Sequence, residues 1–305
     1  MDPCSDNDLR YLIRENNVMS IPNLATYLLP SASQLPDNKV SWSIEPERAA
    51  LLIHDMQDYF LNFWGEKSAL TAQLVQNIVR IKNACRARGI PVYYTAQPNQ
   101  QSDADRALLN DMWGAGLNRY PEQQKITTAL TPEPDDVVLV KWRYSAFHRS
   151  DLEQQLKSAG RNQLIICGIY AHIGCLTTAN DAFMRDIKPF MVADALADFT
   201  QENHLMALRY TASCCGRVLT VDQSISELSP ATQYSESRLR AELQPLLDED
   251  ASDIEGDDNL TDYGLDSVRM MSLVTRWCKA GYNVDFVTLA KKPTLNRWLE
   301  LLTPQ

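Results

Sequence analysis

Apolar residues between positions 49 and 221 fall into two alternating patterns. Short continuous runs, RAALLIHD, IPVYYTAQ, DDVVLVKW, QLIICGIY and KPFMVAD, have the length of strands. Runs of this kind, without polar alternation, suit strands covered on both faces of a parallel sheet. Between the first two lies SALTAQLVQNIVRIKNACRARG, with Leu70, Leu74, Ile78, Ile81 and Cys85 near helical spacing and Gly89 as a stop. Helical stretches are also predicted at 151–160, 174–187 and 201–214, and GRVLT reads as a final strand. Alternating strands and helices imply right-handed crossovers and a doubly wound α/β parallel sheet with helices on both faces.

Ligand sites in such sheets lie beyond the carboxyl ends of the strands. That rule selects Asp55 after the first strand, Gln97 after the second, Lys141 after the third, and Tyr170 to Gly174 after the fourth. Each alone would pass as an ordinary loop residue. Together they mark a candidate site.

The pattern changes after residue 221. DQSISELSPATQY is polar and reads as a linker over 222–234. Residues 235–305 then read as a small all-α domain of four short helices, drawn from ESRLRAELQPLL, SVRMMSLVTRWCKAG, FVTLAKK and PTLNRWLELL. Such a length is close to the lower limit for a self-sufficient core. The expected organisation is an N-terminal extension at 1–18, an α/β domain at 19–221, the linker, and the helical domain at 235–305.

Composition narrows the function classes. Hydrophobic residues make up 45%, enough for a sizeable core. A net charge of −10 and a pI near 4.9 argue against nonspecific nucleic-acid binding. No apolar run reaches bilayer length, and the N-terminus has no signal-peptide core, so a cytoplasmic protein is expected. The seven cysteines form no CxxC pair, and the four histidines show no metal-ligand spacing. No structural or catalytic metal is expected, with a lone acidic magnesium site left open. Acidic residues crowd one segment, Asp248 to Asp258.

Within the helical domain, TDYGLDSVRMM places Ser267 where a loop meets an amphipathic helix. A helix cap is the simplest reading. The stretch also resembles the phosphopantetheine attachment motif of carrier proteins, whose core is Gly-Leu-Asp-Ser. The resemblance implies that the Ser267 hydroxyl receives a 4′-phosphopantetheine arm from coenzyme A. Met270, Met271 and Phe286 are candidate contacts for partner enzymes, while Val274 reads as core.

In the first domain, LLIHDMQDYF, VLVKWRYSAF and GIYAHIGCLTTANDAF resemble the isochorismatase-like hydrolase superfamily. Most members use an Asp–Lys–Cys triad. Asp55 and Lys141 match the first two positions. The nucleophile lies seven residues before the Asp of an Asp-Ala pair, and counting back from Asp181 lands on Gly174. Cys175 is one residue off, a rotation of about 100° on a helix, and reads as a packed thiol. A glycine there resembles the isochorismatases, which cleave a vinyl ether and need an acid rather than a nucleophile. The resemblance makes Asp55 the general acid, with a raised pKa that a charged Lys141 would oppose. Lys141 and Arg106 would meet the dianionic substrate, with hydrogen bonds from Gln97 and Tyr170. Phe60, Trp113 and Ile173 would wall the pocket. A cis peptide is expected between Tyr170 and Ala171. His54, His172, Arg143 and Ser145 are candidate supporting groups.

Hydrolase followed by carrier is similar to the bifunctional isochorismatase and aryl carrier proteins of catechol siderophore biosynthesis. That implies several partners: a phosphopantetheinyl transferase, a 2,3-dihydroxybenzoate-AMP ligase, a downstream nonribosomal peptide synthetase, and a second copy of the hydrolase domain. Two rivals remain: an amidase of the nicotinamidase type fused to a carrier, and a catalytically inactive scaffold serving the carrier.

Overall fold

The computed structural model describes residues 23–65, 67–228, 234–279 and 282–302. The expected extension at 1–18 lies outside them. The chain divides into two compact units, residues 1–228 and 229–305.

The first unit is built on six parallel strands: β1 (Ala49–His54), β2 (Val92–Ala96), β3 (Val137–Val140), β4 (Gln163–Ile169), β5 (Lys188–Ala197) and β6 (Arg217–Leu219). They lie in the order β3-β2-β1-β4-β5-β6, every pair parallel. The order reverses between β1 and β4, whose side chains are buried throughout. Successive residues of these strands feed opposite faces of the sheet. Leu51, Ile53, Ile165 and Cys167 join one core, and Ala50, Leu52, Leu164 and Ile166 join the other. The continuous apolar runs are explained by this two-sided burial.

Helices α1 (Ala69–Ala87), α2 (Leu152–Ser158), α3 (Leu176–Phe183) and α4 (Gln201–Tyr210) fall where the spacing predicts them. Ser68 and Thr200 cap α1 and α4 through their side chains. One boundary differs from the expectation. Residues from 222 onward do not begin a linker. They continue α5 (Val221–Leu228), whose Val221, Ser224 and Leu228 are buried. This polar-looking stretch holds apolar residues at helical spacing, Val221, Ile225 and Leu228, enough for one face against the sheet.

The second unit contains α6 (Glu236–Leu243), α7 (Ser267–Lys279), α8 (Phe286–Lys291) and α9 (Leu295–Leu301). Its core is centred on Trp277 and Trp298, whose rings meet edge to face at 5.5 Å. Both indoles are satisfied despite full burial. Trp277 Nε1 donates to the Tyr234 hydroxyl and Glu242, and Trp298 Nε1 to the Leu289 carbonyl. Two large aromatics let so short a domain bury a core.

Candidate functional site

The loops at the carboxyl ends of β1 to β4 enclose a pocket beside the β1/β4 switch point. Asp55, Phe60, Gln97, Arg106, Trp113 and Lys141 line it, together with Tyr170, Ile173 and Gly174. Every pocket residue expected from the sequence is therefore brought to one place.

Asp55 leaves β1 with φ +50°, a left-handed conformation rare for a residue with a side chain. Its carboxylate is held at both oxygens. Thr95 Oγ1, on β2, donates to Oδ1 at 2.6 Å. Lys141 Nζ donates to Oδ2 at 2.8 Å. Both side chains of this ion pair are buried. Burial pushes the Asp55 carboxyl upward, but the Lys141 charge and the hydrogen bonds from Lys141 and Thr95 outweigh it, and the net direction is down. The balance between burial and a charged Lys141, which the sequence leaves open, thus falls toward the carboxylate, and Asp55 is the anionic partner of Lys141.

Arg106 is 2% exposed, and its guanidinium is already occupied. It donates to Gln101 Oε1 and Asn110 Oδ1, each at 3.0 Å, and to the Gly114 carbonyl. The loop after β2 thus holds one positive charge rigidly at the pocket wall. Tyr170 is also committed. Its hydroxyl donates to the Phe60 carbonyl at 2.9 Å, so its ring, rather than a free O–H, faces the cavity. Phe199 stacks edge-on against Tyr170 at 4.7 Å and Trp113 at 6.0 Å. The cis peptide lies between Ile169 and Tyr170, one bond earlier than expected, because β4 ends at Ile169 and the chain turns there.

Sequence reasoning missed several contributors, Tyr59, Leu109, Gly116 and Tyr144 in the pocket lining among them. Gln57 is fully buried. Its side-chain amide donates to the Gln97 carbonyl and accepts from the Gln97 N–H, tying the β1 exit to the β2 exit. A polar residue two positions after Asp55 was its only signal. Thr95, inside an apolar strand, and Phe199, after β5, carry no local signature of a site. Among the candidate supporting groups, Arg143 donates to the Asp105 and Trp142 carbonyls and Ser145 to Asp181. Neither lines the pocket. His172 is fixed by buried Asp198, which accepts from its backbone N–H at 2.6 Å and pairs with its Nδ1.

Gly174 lines the pocket within a wide helical turn, Ala171–Cys175, that leads into α3. Cys175 is fully buried in the opposite core. Burial raises its thiol well above the ordinary range, so it holds no thiolate. The amidase reading loses its nucleophile.

In the second unit, Ser267 is the exposed first residue of α7. The cap is not its own. Asp266 Oδ1 accepts the Arg269 N–H at 2.7 Å. Gly264 turns the loop with φ +93°, and a Cβ there would collide with the Asp248 carboxylate. Arg269 ties the loop down, donating to the Gly264 carbonyl at 2.9 Å and the Leu246 carbonyl at 3.0 Å. An exposed primary hydroxyl at the N-terminus of a long helix fits a phosphodiester-linked arm, since free N–H groups and the helix dipole favour added negative charge. One interface candidate is corrected. Met270 is 3% exposed and belongs to the core, because it shares a face with Val274 one turn on and Trp277 two turns on. Met271 is 49% exposed, and Phe286 is partly buried against the same core.

Fold and site define a hydrolase of the isochorismatase-like type followed by a phosphopantetheine carrier unit. The isochorismatase domain model matches residues 49–223, and the phosphopantetheine attachment site model matches residues 237–302. The chain is 60% identical over 285 residues to enterobactin synthase component B of Escherichia coli (strain K12), covering 93% of this chain and 99% of that protein. It is 48% identical over 299 residues to an isochorismatase of Bacillus subtilis (strain 168), covering 93% and 96%. Among solved structures, a cysteine hydrolase from Pseudomonas syringae pv. phaseolicola 1448A is similar at TM-score 0.57 and 26% identity, covering 67% of this chain and 98% of that one. The chain belongs to the isochorismatase family, in the form that carries a C-terminal phosphopantetheine attachment domain.

Proposed function

We propose that the first unit hydrolyses isochorismate to pyruvate and 2,3-dihydro-2,3-dihydroxybenzoate with Asp55 as general acid. The observation that carries this reading is a buried Asp55–Lys141 pair in a pocket whose third position is glycine. A site with an acid and no nucleophile suits a vinyl ether, which is activated by protonation at carbon. Asp55 gives its proton to the methylene carbon of the enolpyruvyl group. Water adds to the resulting oxocarbenium carbon, and the hemiketal collapses to the two products, returning a proton.

Asp55 obtains its proton through the substrate. A bound carboxylate competes for Lys141, the ion pair that depresses Asp55 weakens, and burial then drives the carboxyl toward its neutral form. Arg106 supplies a second fixed charge to the dianion, Gln97 a hydrogen-bonding side chain, and Phe60, Trp113, Tyr170 and Ile173 exclude bulk water.

The second unit carries 2,3-dihydroxybenzoate. The arm joined to Ser267 supplies a thiol that holds the acid as a thioester. Ser267 offers the attachment oxygen, and Asp266, Gly264 and Arg269 hold it at the exposed helix start. A phosphopantetheinyl transferase installs the arm, a 2,3-dihydroxybenzoate-AMP ligase loads it, and a nonribosomal peptide synthetase accepts the aryl group in siderophore assembly. The acidic stretch from Asp248 to Asp258 suits a basic transferase, and Met271 and Phe286 offer apolar contacts. The hydrolase unit pairs with a second copy, and the protein works in the cytoplasm; no helix among the described residues is long and apolar enough to cross a membrane.

The test is pyruvate release from isochorismate by the wild type, Asp55→Ala and Cys175→Ala. Release that needs Asp55 and ignores Cys175 is the expected result. Release that disappears with Cys175 would overturn the assignment.

A further inference from the structure

The His54 imidazole and Gly174 occupy one space. His54 is the last residue of β1, between β2 and β4, and is fully buried. Its ring lies directly beneath Gly174. A Cβ at position 174 would fall well inside van der Waals contact with His54 Cε1, and 2.9 Å from Nε2. The His54 ring is buried and anchored. Its Nδ1 is 2.7 Å from the Ile169 carbonyl, and interiors this dense do not absorb an added carbon.

The protonation state fixes the ring further. Burial lowers the His54 pKa to about 4, against the opposing effects of Asp55 and the Ile169 and Tyr144 carbonyls. The neutral ring has one N–H, and a carbonyl can only accept, so Nδ1 carries the hydrogen. Among the described residues the Nε2 edge makes no hydrogen bond of ordinary geometry, the nearby Tyr144 carbonyl included. That edge and Cε1 fill the volume beneath Gly174. The same ring is 3.6 Å from Asp55 Oδ2.

We propose that His54 determines the reaction class of this pocket by filling the volume that any side chain at position 174 would need, so that no nucleophile can stand opposite Asp55 and Lys141. His54 is a positioning residue; it does not touch the substrate. The bare backbone at 174 leaves the space over Asp55 to the substrate. The inference deepens the proposed hydrolysis, on which one of its readouts rests.

The test is a double-mutant cycle using His54→Asn. The asparagine amide keeps an N–H at the Nδ1 position for the Ile169 carbonyl and removes Cε1 and Nε2. Gly174→Ala should lower the melting temperature and reduce pyruvate release about 100-fold or more in the His54 background, by analogy with small displacements in active sites. His54→Asn/Gly174→Ala should be more stable and more active than Gly174→Ala alone. Equal damage by Gly174→Ala in both backgrounds would overturn the proposal, as would its tolerance beside His54. The stability arm does not depend on the substrate assignment. If the wild type releases no pyruvate, the proposed function fails while the His54–Gly174 coupling is still measured.

A second arm reads nucleophile exclusion. Gly174→Cys and His54→Asn/Gly174→Cys are exposed to p-nitrophenyl acetate and mapped by peptide mass. Attack by a thiolate forms a C–S bond, breaks the ester C–O bond and releases p-nitrophenolate. Acetylation at position 174 in the double variant alone is expected. A Gly174→Cys single variant that keeps the wild-type melting temperature and acetylates equally would show that His54 does not close the position.

Discussion

Lys141 Nζ donates to Asp55 Oδ2 across 2.8 Å although the two residues are 86 positions apart. They follow β1 and β3, which β2 separates in the sheet, and the pair is buried. On the proposed mechanism, a dianionic ligand competes for Lys141 and leaves Asp55 to take up a proton. Binding of a non-hydrolysable isochorismate analogue should take up about one proton per site near neutral pH, because the site's carboxyl moves from depressed to raised. Calorimetry in buffers of different ionisation enthalpy measures it. Asp55→Asn should take up none, and uptake unchanged by that substitution would place the proton elsewhere.

The depressed carboxyl also contributes stability. A group whose folded pKa lies below its unfolded value stabilises the fold above the unfolded pKa, and that contribution disappears as pH falls through the folded pKa. Wild type should therefore lose melting temperature on acidification below the ordinary carboxylate range more steeply than Asp55→Asn. Parallel melting curves across that range would remove Asp55 from the balance.

Asp55→Asn should lower kcat for pyruvate release by roughly 10²- to 10⁴-fold, the usual contribution of a positioned acid. Cys175→Ala removes a fully buried sulfur from the core behind Gly174. It should cost on the order of 1 kcal/mol of stability and leave turnover close to that of the wild type. Steady-state kinetics beside thermal melts separate the two effects.

Ser267→Ala should abolish the mass gain produced by a phosphopantetheinyl transferase with coenzyme A, with pyruvate release unchanged. Intact-protein mass spectrometry reads the first and the hydrolase assay the second. A sharp fall in hydrolysis would mean that the two units do not work independently.

Adjacent methionines should separate. Met270→Ala opens the carrier core and should cost about 2–5 kcal/mol, seen as early melting of that unit. Met271→Ala removes an exposed side chain and should change stability by no more than about 0.5 kcal/mol. Aryl transfer to the downstream synthetase should fall with Met271→Ala, and transfer at the wild-type rate would remove Met271 from the docking surface.

The sheet was legible because strands buried on both faces leave continuous apolar runs, and the rule for strand ends then pointed to Asp55, Gln97, Lys141 and Gly174. Ser267 was legible because its signal is local. Gln57, Thr95 and Phe199 were not, since each acts only through residues brought near by the fold. The downward shift of Asp55 was equally hidden, because it depends on hydrogen bonds to groups 40 and 86 positions away. Met270 misled because flexible thioethers suit cores and interfaces alike. The helix from 221 to 228 was obscured by its polar composition.

Asp266, rather than Ser267, closes the start of α7. Adding a phosphodiester to the serine therefore removes no bond on which the helix depends. On the proposed attachment, the helix start is formed before the arm arrives, and installing the arm leaves the Asp266 cap in place.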